Sequence, residues 1–397
     1  MLPEADTLTH AEWASAHTRA ASLIPGGALC HSKDDAHFPP NAPRFIQGGD
    51  GSQVWDDHGR DWLDWGMGLR SVILGHAFTP VIIAANRALR AGANHTRPTL
   101  LEGELAERLT GIIPCGRGGM AKFGKNGSDA VTAAVRLARA ATGREMVMVG
   151  AGSFHASDDW WLSISERPKG TIRQATKVFP YNDAEWIGPK LLTRRYAAVV
   201  MEAMAFEWPK PGYLQAVRQW CSVTGTVLIF DEVITGFRFG LAGAQGYFGV
   251  TPDLACFGKA MANGFSVSAL VGKRELMELA DGAHGVHVLS STHGGGTHAL
   301  AAALATIDVI DRKNVSVHLV SVGMLLQDGL RAAGYDVRGH PASPAVVFPT
   351  PHTFRPGLDH LAFVGKLCDR GILAPYWAPS FSHTEQDVQR TIAAAQA

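Results

Sequence analysis

Lys259 lies in the segment Phe257-Gly258-Lys259-Ala260-Met261-Ala262-Asn263-Gly264. Shortly upstream, the apolar run Thr226-Val-Leu-Ile-Phe230 ends in Asp231-Glu232-Val233-Ile234-Thr235-Gly236-Phe237-Arg238. An acid at the end of a buried strand, followed by a lysine in a small glycine-flanked loop, is the pair that pyridoxal 5'-phosphate (PLP) chemistry needs. The lysine amine forms a Schiff base with the cofactor aldehyde, and the carboxylate keeps the pyridine nitrogen protonated so that the ring accepts electrons. Taken singly, a lysine after a strand is usually a solvated surface charge, and an acidic pair is often a strand end or a helix cap. Gly236 and Arg238 after the acid, and Gly258 and Gly264 around the lysine, make the joint pattern specific.

A PLP site must also hold a phosphate dianion. Gly124-Lys125-Asn126-Gly127-Ser128 leads from a strand into a helix, where backbone N–H groups and the helix dipole favour an anion. Ser128 reads either as a phosphate ligand or as the helix N-cap. Gly152-Ser153-Phe154-His155 follows another strand. Phe154 has the shape to stack on a pyridine ring, an arrangement worth roughly 1 kcal/mol, and Val233 to pack against the opposite face. The competing reading makes Phe154 a core residue and His155 the occupant of a polar niche. Ser291-Thr292-His293-Gly294-Gly295-Gly296 precedes a helix and is either a second anion site or a flexible connection.

The elements that must position these residues are those of an α/β chain. Strands are expected at Ala121–Phe123, Met146–Val149, Ala197–Glu202, Thr226–Phe230, Leu254–Phe257 and Ala269–Gly272, with helices between them, which argues for a largely parallel sheet. In the helix after Gly124, Ser128 suits the N-cap and Asp129 the first turn. Val131, Ala134, Val135 and Ala138 form an apolar face, and Gly143 stands at the stop. Ser52-Gln-Val-Trp-Asp56 and Asp61-Trp-Leu-Asp64 read as a hairpin turning at Gly59. A long helix is expected over Thr297–Asp311, then an α+β tail through Val346-Val-Phe348 and a last helix from about Thr384. The expected division is 1–65 and 296–397 as two parts of a smaller domain, with 66–295 as the large cofactor-binding domain.

The 397 residues allow one large and one smaller domain, and 46% hydrophobic against 18% charged residues supplies a substantial core. A formal net charge of +0 gives no basic excess for nucleic acid or a membrane surface. The acidic start Met-Leu-Pro-Glu-Ala-Asp-Thr is unlike a signal peptide, and no apolar run is long enough to span a bilayer. Cys30, Cys115, Cys221, Cys256 and Cys368 form no Cys-x-x-Cys pair and read as reduced thiols of a cytoplasmic protein without a metal.

From Ile24-Pro-Gly-Gly27 to about Ser382-His-Thr-Glu385 the chain resembles the class-III PLP-dependent aminotransferases, and among them the glutamate-1-semialdehyde 2,1-aminomutase-like branch. The resemblance rests on Asp231–Arg238 and the Lys259 loop. It rests also on Ile73-Leu-Gly-His76, Arg136-Leu-Ala-Arg139 with Thr142-Gly-Arg144, and Tyr181-Asn-Asp183. It implies the type-I PLP-dependent transferase fold and a homodimer with shared active sites. Asp231 is then the partner of the pyridine nitrogen, and Lys259 both the anchor and the proton shuttle. Phe154 is implied to stack on the ring, and Asn126, Gly127 and Ser128 to hold the phosphate. Thr292 is implied to reach the phosphate from the neighbouring subunit, and Glu202 matches a strand-end glutamate near the cofactor. Ser32 and Arg97 match regions lining the substrate side. Arginine suits a carboxylate because its fork binds both oxygens, although a structural ion pair explains Arg97 equally well.

The chain departs from that pattern in places. Lys125-Asn-Gly-Ser-Asp-Ala130 stands where the family usually has Asn-Ser-Gly-Thr-Glu-Ala, and Phe154 where the branch often has Tyr. Thr292 is followed by His-Gly-Gly-Gly-Thr-His. Only Ala156–Pro180, with Trp160-Trp161 and Arg167-Pro-Lys-Gly170, occupies the place of a longer Gly/Ser-rich lid. An aminomutase must retain its intermediate under a closed site, whereas a transaminase must release a keto product. The short segment therefore favours transamination. The expected reaction is a ping-pong transfer from an amino donor to a small polar keto acceptor, since no clear C-terminal arginine is seen for an α-carboxylate. The 2,1-aminomutase is the alternative, and a PLP-dependent racemase the next.

Overall fold

The structure, a computed structural model, describes residues 10–165, 169–281, 283, 286–349 and 356–397. The acidic start and Arg167-Pro168 lie outside the described residues. The chain forms two compact units. One is the chain up to Phe78 with His318–Ala397; the other is Thr79–Val317.

In the first unit, β1 (Ile46–Asp50), β2 (Gln53–Asp56) and β3 (Asp61–Asp64) run antiparallel. The hairpin between β2 and β3 forms as expected. Gly59 takes φ +72°, and Asp56 Oδ1 accepts from the His58 and Arg60 N–H groups while its Oδ2 accepts from Trp62 Nε1. The fourth strand of that sheet, Ile372–Leu373, comes from the far end of the chain and lies parallel to β3. The core beneath draws on both stretches, with Leu63 and Trp65 packed among Leu326, Leu330, Leu367, Ile372 and Val388. The last helix, Glu385–Gln396, starts in a capping box of Thr384 and Asp387, the pattern that marks a helix start in sequence.

The second unit is built on a seven-stranded sheet. Its strands are β4 (Met120–Gly124), β5 (Met146–Gly150), β6 (Thr176–Phe179), β7 (Tyr196–Met201), β8 (Val227–Asp231), β9 (Leu254–Phe257) and β10 (Ser268–Gly272). Their order is β4-β10-β9-β8-β7-β5-β6, and only β10 runs antiparallel to its neighbours. All six expected strands form, displaced by at most a residue or two at their ends. β6 has no counterpart in the expectation, because its two central residues are exposed and its four positions carry no apolar run. β7 and β8 are buried along their whole length, as strands covered on both faces must be. The helix Thr297–Lys313 runs two residues past its expected end, to Asn314 in the left-handed conformation. Among the described residues no helix is long and apolar enough to cross a membrane, and all five cysteines are free thiols.

The helix Gly127–Thr142 buries Val131, Ala134, Val135 and Ala138 and ends at Gly143 with φ +65°, as expected. Its start requires a correction. The N-cap is Asn126, whose Oδ1 accepts from the Asp129 N–H, while Asp129 Oδ2 accepts from the Lys125 and Asn126 N–H groups. Ser128 sits inside the first turn. The Asn-x-x-Asp spacing satisfies donors reciprocally, which a cap at Ser128 could not do.

Arg144 fastens the other end of the sheet. Its guanidinium donates to the carbonyls of Tyr196, Thr224 and Gly225 and to Thr226 Oγ1, at 3.0 to 3.4 Å, tying the starts of β7 and β8 together. Arg144→Met leaves these carbonyls without their donor, and a loss of about 2 kcal/mol is expected. The urea midpoint measures it, and an unchanged midpoint would contradict the clamp.

Candidate active site

Because β4 and the parallel strands point the same way, their carboxyl ends share one edge of the sheet, the edge at which open α/β sheets bind ligands. The phosphate-loop candidate follows β4, Phe154 and His155 follow β5, Glu202 follows β7, Asp231 ends β8 and Lys259 follows β9.

Asp231 is 4% exposed. His155 Nδ1 donates to its Oδ2 at 2.8 Å, and the Val233 N–H donates to its Oδ1 at 3.1 Å. Among the described residues, His155 Nε2 is buried without a hydrogen-bond partner. Glu232, the next residue, is fully buried on a separate network. It accepts from Thr235 Oγ1, the Ala244 and Gln245 N–H groups and Gln245 Nε2, at 2.6 to 3.1 Å. Those bonds tie the turn after β8 to the helix Gly243–Phe248.

Lys259 opens a short 3-10 turn, Lys259–Ala262, with φ +42°, a region costly for a residue with a Cβ and commonest at working sites. Ser266 Oγ donates to the Lys125 carbonyl at 2.9 Å, linking the lysine loop to the phosphate-loop candidate. Val233 stands between them. A Cβ on Gly127 would lie 2.9 Å from its Cγ2, and one on Gly258 3.7 Å from its Cγ1. Gly127 is therefore demanded by close approach and not by its torsion angles. Among the described residues the Gly127 and Ser128 N–H groups have no partner within the chain, as the first turn of a helix leaves them.

Glu202 is buried close to Asp231. Burial, and then the Asp231 carboxyl, raise it above the usual carboxylate range; His155, a hydrogen bond from Ser153 and the Lys259 charge act the other way. Phe154 is 57% exposed, so it is not a core residue, and its ring meets Trp161 edge-on at 4.8 Å. His155 does fill a buried polar niche, but the niche is Asp231's. Ser128 Oγ accepts from the Ser157 N–H at 3.0 Å. Thr292 is exposed on its loop and its carbonyl accepts from Asn94 Nδ2. Arg97 is exposed in a loop of this unit with no ion pair among the described residues, while Ser32 belongs to the other unit. Ser153, Asp129 and Glu232 were not singled out for the site. Only Asp129 carried a local signal, through its spacing from Asn126.

These residues fit PLP. Two buried carboxyl groups lie together at Glu202 and Asp231, and a cationic ring nitrogen beside them offsets the cost of burying negative charge. Unused N–H groups head a sixteen-residue helix where a phosphate would be bound.

Comparison with known proteins places the chain in a family. The family model of the class-III aminotransferases matches residues 36–374. The chain is 34% identical to a glutamate-1-semialdehyde 2,1-aminomutase of Roseiflexus castenholzii, over 96% of this chain and 95% of that protein. It is 32% identical to one of Alkaliphilus oremlandii, over 96% of both. Among solved structures, an omega-transaminase from Sphaerobacter thermophilus superposes with a TM-score of 0.83 at 28% identity, covering 96% of this chain and 97% of that one. The FumI protein of Sphingopyxis sp. MTA144, in a PLP form, gives 0.86 at 26%, covering 96% and 94%. The molecule is a PLP-dependent enzyme with the type-I fold. It belongs to the class-III aminotransferases.

Two outcomes test the site. Gly127→Ala drives a methyl group into Val233, and overpacking of about 1–3 kcal/mol displaces the phosphate loop. Expected is a weakening of PLP affinity by about tenfold or more, measured by cofactor titration; unchanged affinity would count against the cradle. The second outcome concerns pH. The raised Glu202 binds a proton in the folded chain at pH values where the unfolded chain has lost it, so its contribution to stability falls as pH rises from about 4.5 through the folded pKa. Glu202→Gln removes that loss. The variant's melting temperature should gain on the parent's as pH rises, and a constant difference across the range would refute the assignment.

Proposed function

We propose that this enzyme moves an amino group within one substrate, as a glutamate-1-semialdehyde 2,1-aminomutase, forming 5-aminolevulinate. The observation that carries this reading is the 30–34% identity to proteins of that name over nearly the whole of both chains. It reverses the preference that the short Ala156–Pro180 segment suggests. Length of one segment is an indirect measure of closure, whereas the likeness extends over the full chain.

PLP, when bound, supplies an aldehyde that captures amines and a ring that accepts electron density. Lys259 is the residue proposed to hold it covalently and then to carry a proton between the substrate carbon and C4′ of the cofactor. Asp231 pairs with the ring nitrogen, oriented by His155 and the Val233 N–H. Phe154 and Val233 flank the ring. The Gly127 and Ser128 N–H groups receive the phosphate, the Asn126 side chain being engaged as the helix cap. Glu202 borders the site as a buried acid. Thr292 completes the phosphate site of a second subunit in a homodimer, and Ser32 and Arg97 belong to the substrate side. The protein acts in the cytoplasm.

Intermolecular transamination is the second reading, favoured by the short segment and the likeness to the Sphaerobacter transaminase. One experiment separates the two. The PLP-loaded enzyme is given glutamate-1-semialdehyde alone. Steady release of 5-aminolevulinate is expected, with borohydride fixing the cofactor on Lys259 and Lys259→Ala inactive. A single turnover that leaves the pyridoxamine form, and resumes only when a keto acid is added, would establish the aminotransferase instead.

A further inference from the structure

Residues after His155 are fastened to the helix that begins at the phosphate-loop candidate. The Ser157 N–H donates to Ser128 Oγ at 3.0 Å. Thr132 Oγ1, 5% exposed and one turn along that helix, donates to Asp158 Oδ2 at 2.6 Å and accepts from Trp160 Nε1 at 2.9 Å. Asp158 occupies the N-cap position of the short helix Asp159–Leu162, yet its carboxylate makes no cap bond. It is used on Thr132 instead. From the other side, Thr176 Oγ1 on β6 donates to the Trp160 carbonyl at 2.6 Å. A four-residue helix has no stability of its own, so these contacts determine where it lies. Trp160 is 2% and Trp161 8% exposed, and the Trp161 ring meets Phe154 at 66°.

We propose that Thr132 is a positioning residue. Its single hydroxyl pins the Ser157–Leu162 segment as a fixed wall, and through Trp161 that wall sets the plane of Phe154 at the cofactor site. This inference rests on the reading of Phe154 as a ring contact. A hydroxyl can serve both bonds at once, one as donor and one as acceptor. Valine has the same shape and can make neither. The edge-to-face contact then remains, but its tryptophan is carried by an unfastened segment.

The test uses the PLP-loaded enzyme. Amide hydrogen exchange of residues 157–165 reports the wall, and visible circular dichroism of the bound cofactor reports the orientation of its ring. Thr132→Val should speed exchange there by about thirtyfold, the factor for the loss of two hydrogen bonds. It should also cut the visible dichroism per bound cofactor by about half or more. Thr132→Ser should retain the parent's values for both. Trp160→Phe, which keeps the packing and removes one donor, should shift both readouts in the same direction if Thr132→Val does not fold. Faster exchange with unchanged dichroism would overturn the positioning role, as would unchanged exchange, or a serine variant as altered as the valine one. Neither readout depends on the product formed, so failure of the aminomutase reading would show in turnover alone and leave this result standing.

Discussion

The site depends on two consecutive buried carboxyl groups at the end of β8. A carboxyl group taken out of water is costly unless its oxygens are hydrogen-bonded, and the chain meets that need twice, in opposite directions. Asp231 is bonded by His155 and the Val233 N–H at the candidate site. Glu232 accepts four hydrogen bonds away from it, from the helix Gly243–Phe248 and Thr235. Neighbouring residues at a strand end face opposite ways, so one acid faces the candidate site while the next anchors the turn that carries it. Displacing Glu232 would release Val233, the residue against which Gly127 is packed. The candidate phosphate loop is thus packed against the turn that carries Asp231.

Charge sets a second constraint. Asp231, His155 and Lys259 all lie close enough to act on Glu202, whose carboxyl is raised chiefly by its own burial. Such a cluster is poorly balanced as a mere core feature and well suited to a ligand carrying positive charge at the ring and negative charge at the phosphate. The same economy appears at the helix start. Asn126 and Asp129 consume the donors nearest the loop, leaving the Gly127 and Ser128 N–H groups for an anion. The unusual Lys125-Asn126-Gly127-Ser128 run therefore commits the Asn126 side chain to the cap and still leaves a helix terminus suited to an anion.

Much of this was legible in the linear chain, for local physical reasons. The apolar run into Asp231, the glycines around Lys259 and the face of Val131, Ala134, Val135 and Ala138 each report a strand, a turn or a helix from neighbouring residues alone. The capping box at Asn126 and Asp129 carries the same kind of signal, obscured by the equally plausible Ser128. β6 was not legible, since a short edge strand with exposed central residues has no periodic pattern to read.

The sequence by itself determined the chemistry available: an acid closing one buried strand and a lysine in the loop after the next, a glycine loop before a helix, and no charge excess directing the chain elsewhere. Only the tertiary structure decided the pairings. His155 with Asp231 spans 76 positions, Ser266 with Lys125 spans 141, and Thr132 with Asp158 and Trp160 spans 26 and 28. Such bonds are set by strand order, which places the ends of β4, β5, β7, β8 and β9 on one edge. Residue spacing reports only what lies within a turn or two of the same element, and carries no record of which strand lies beside which.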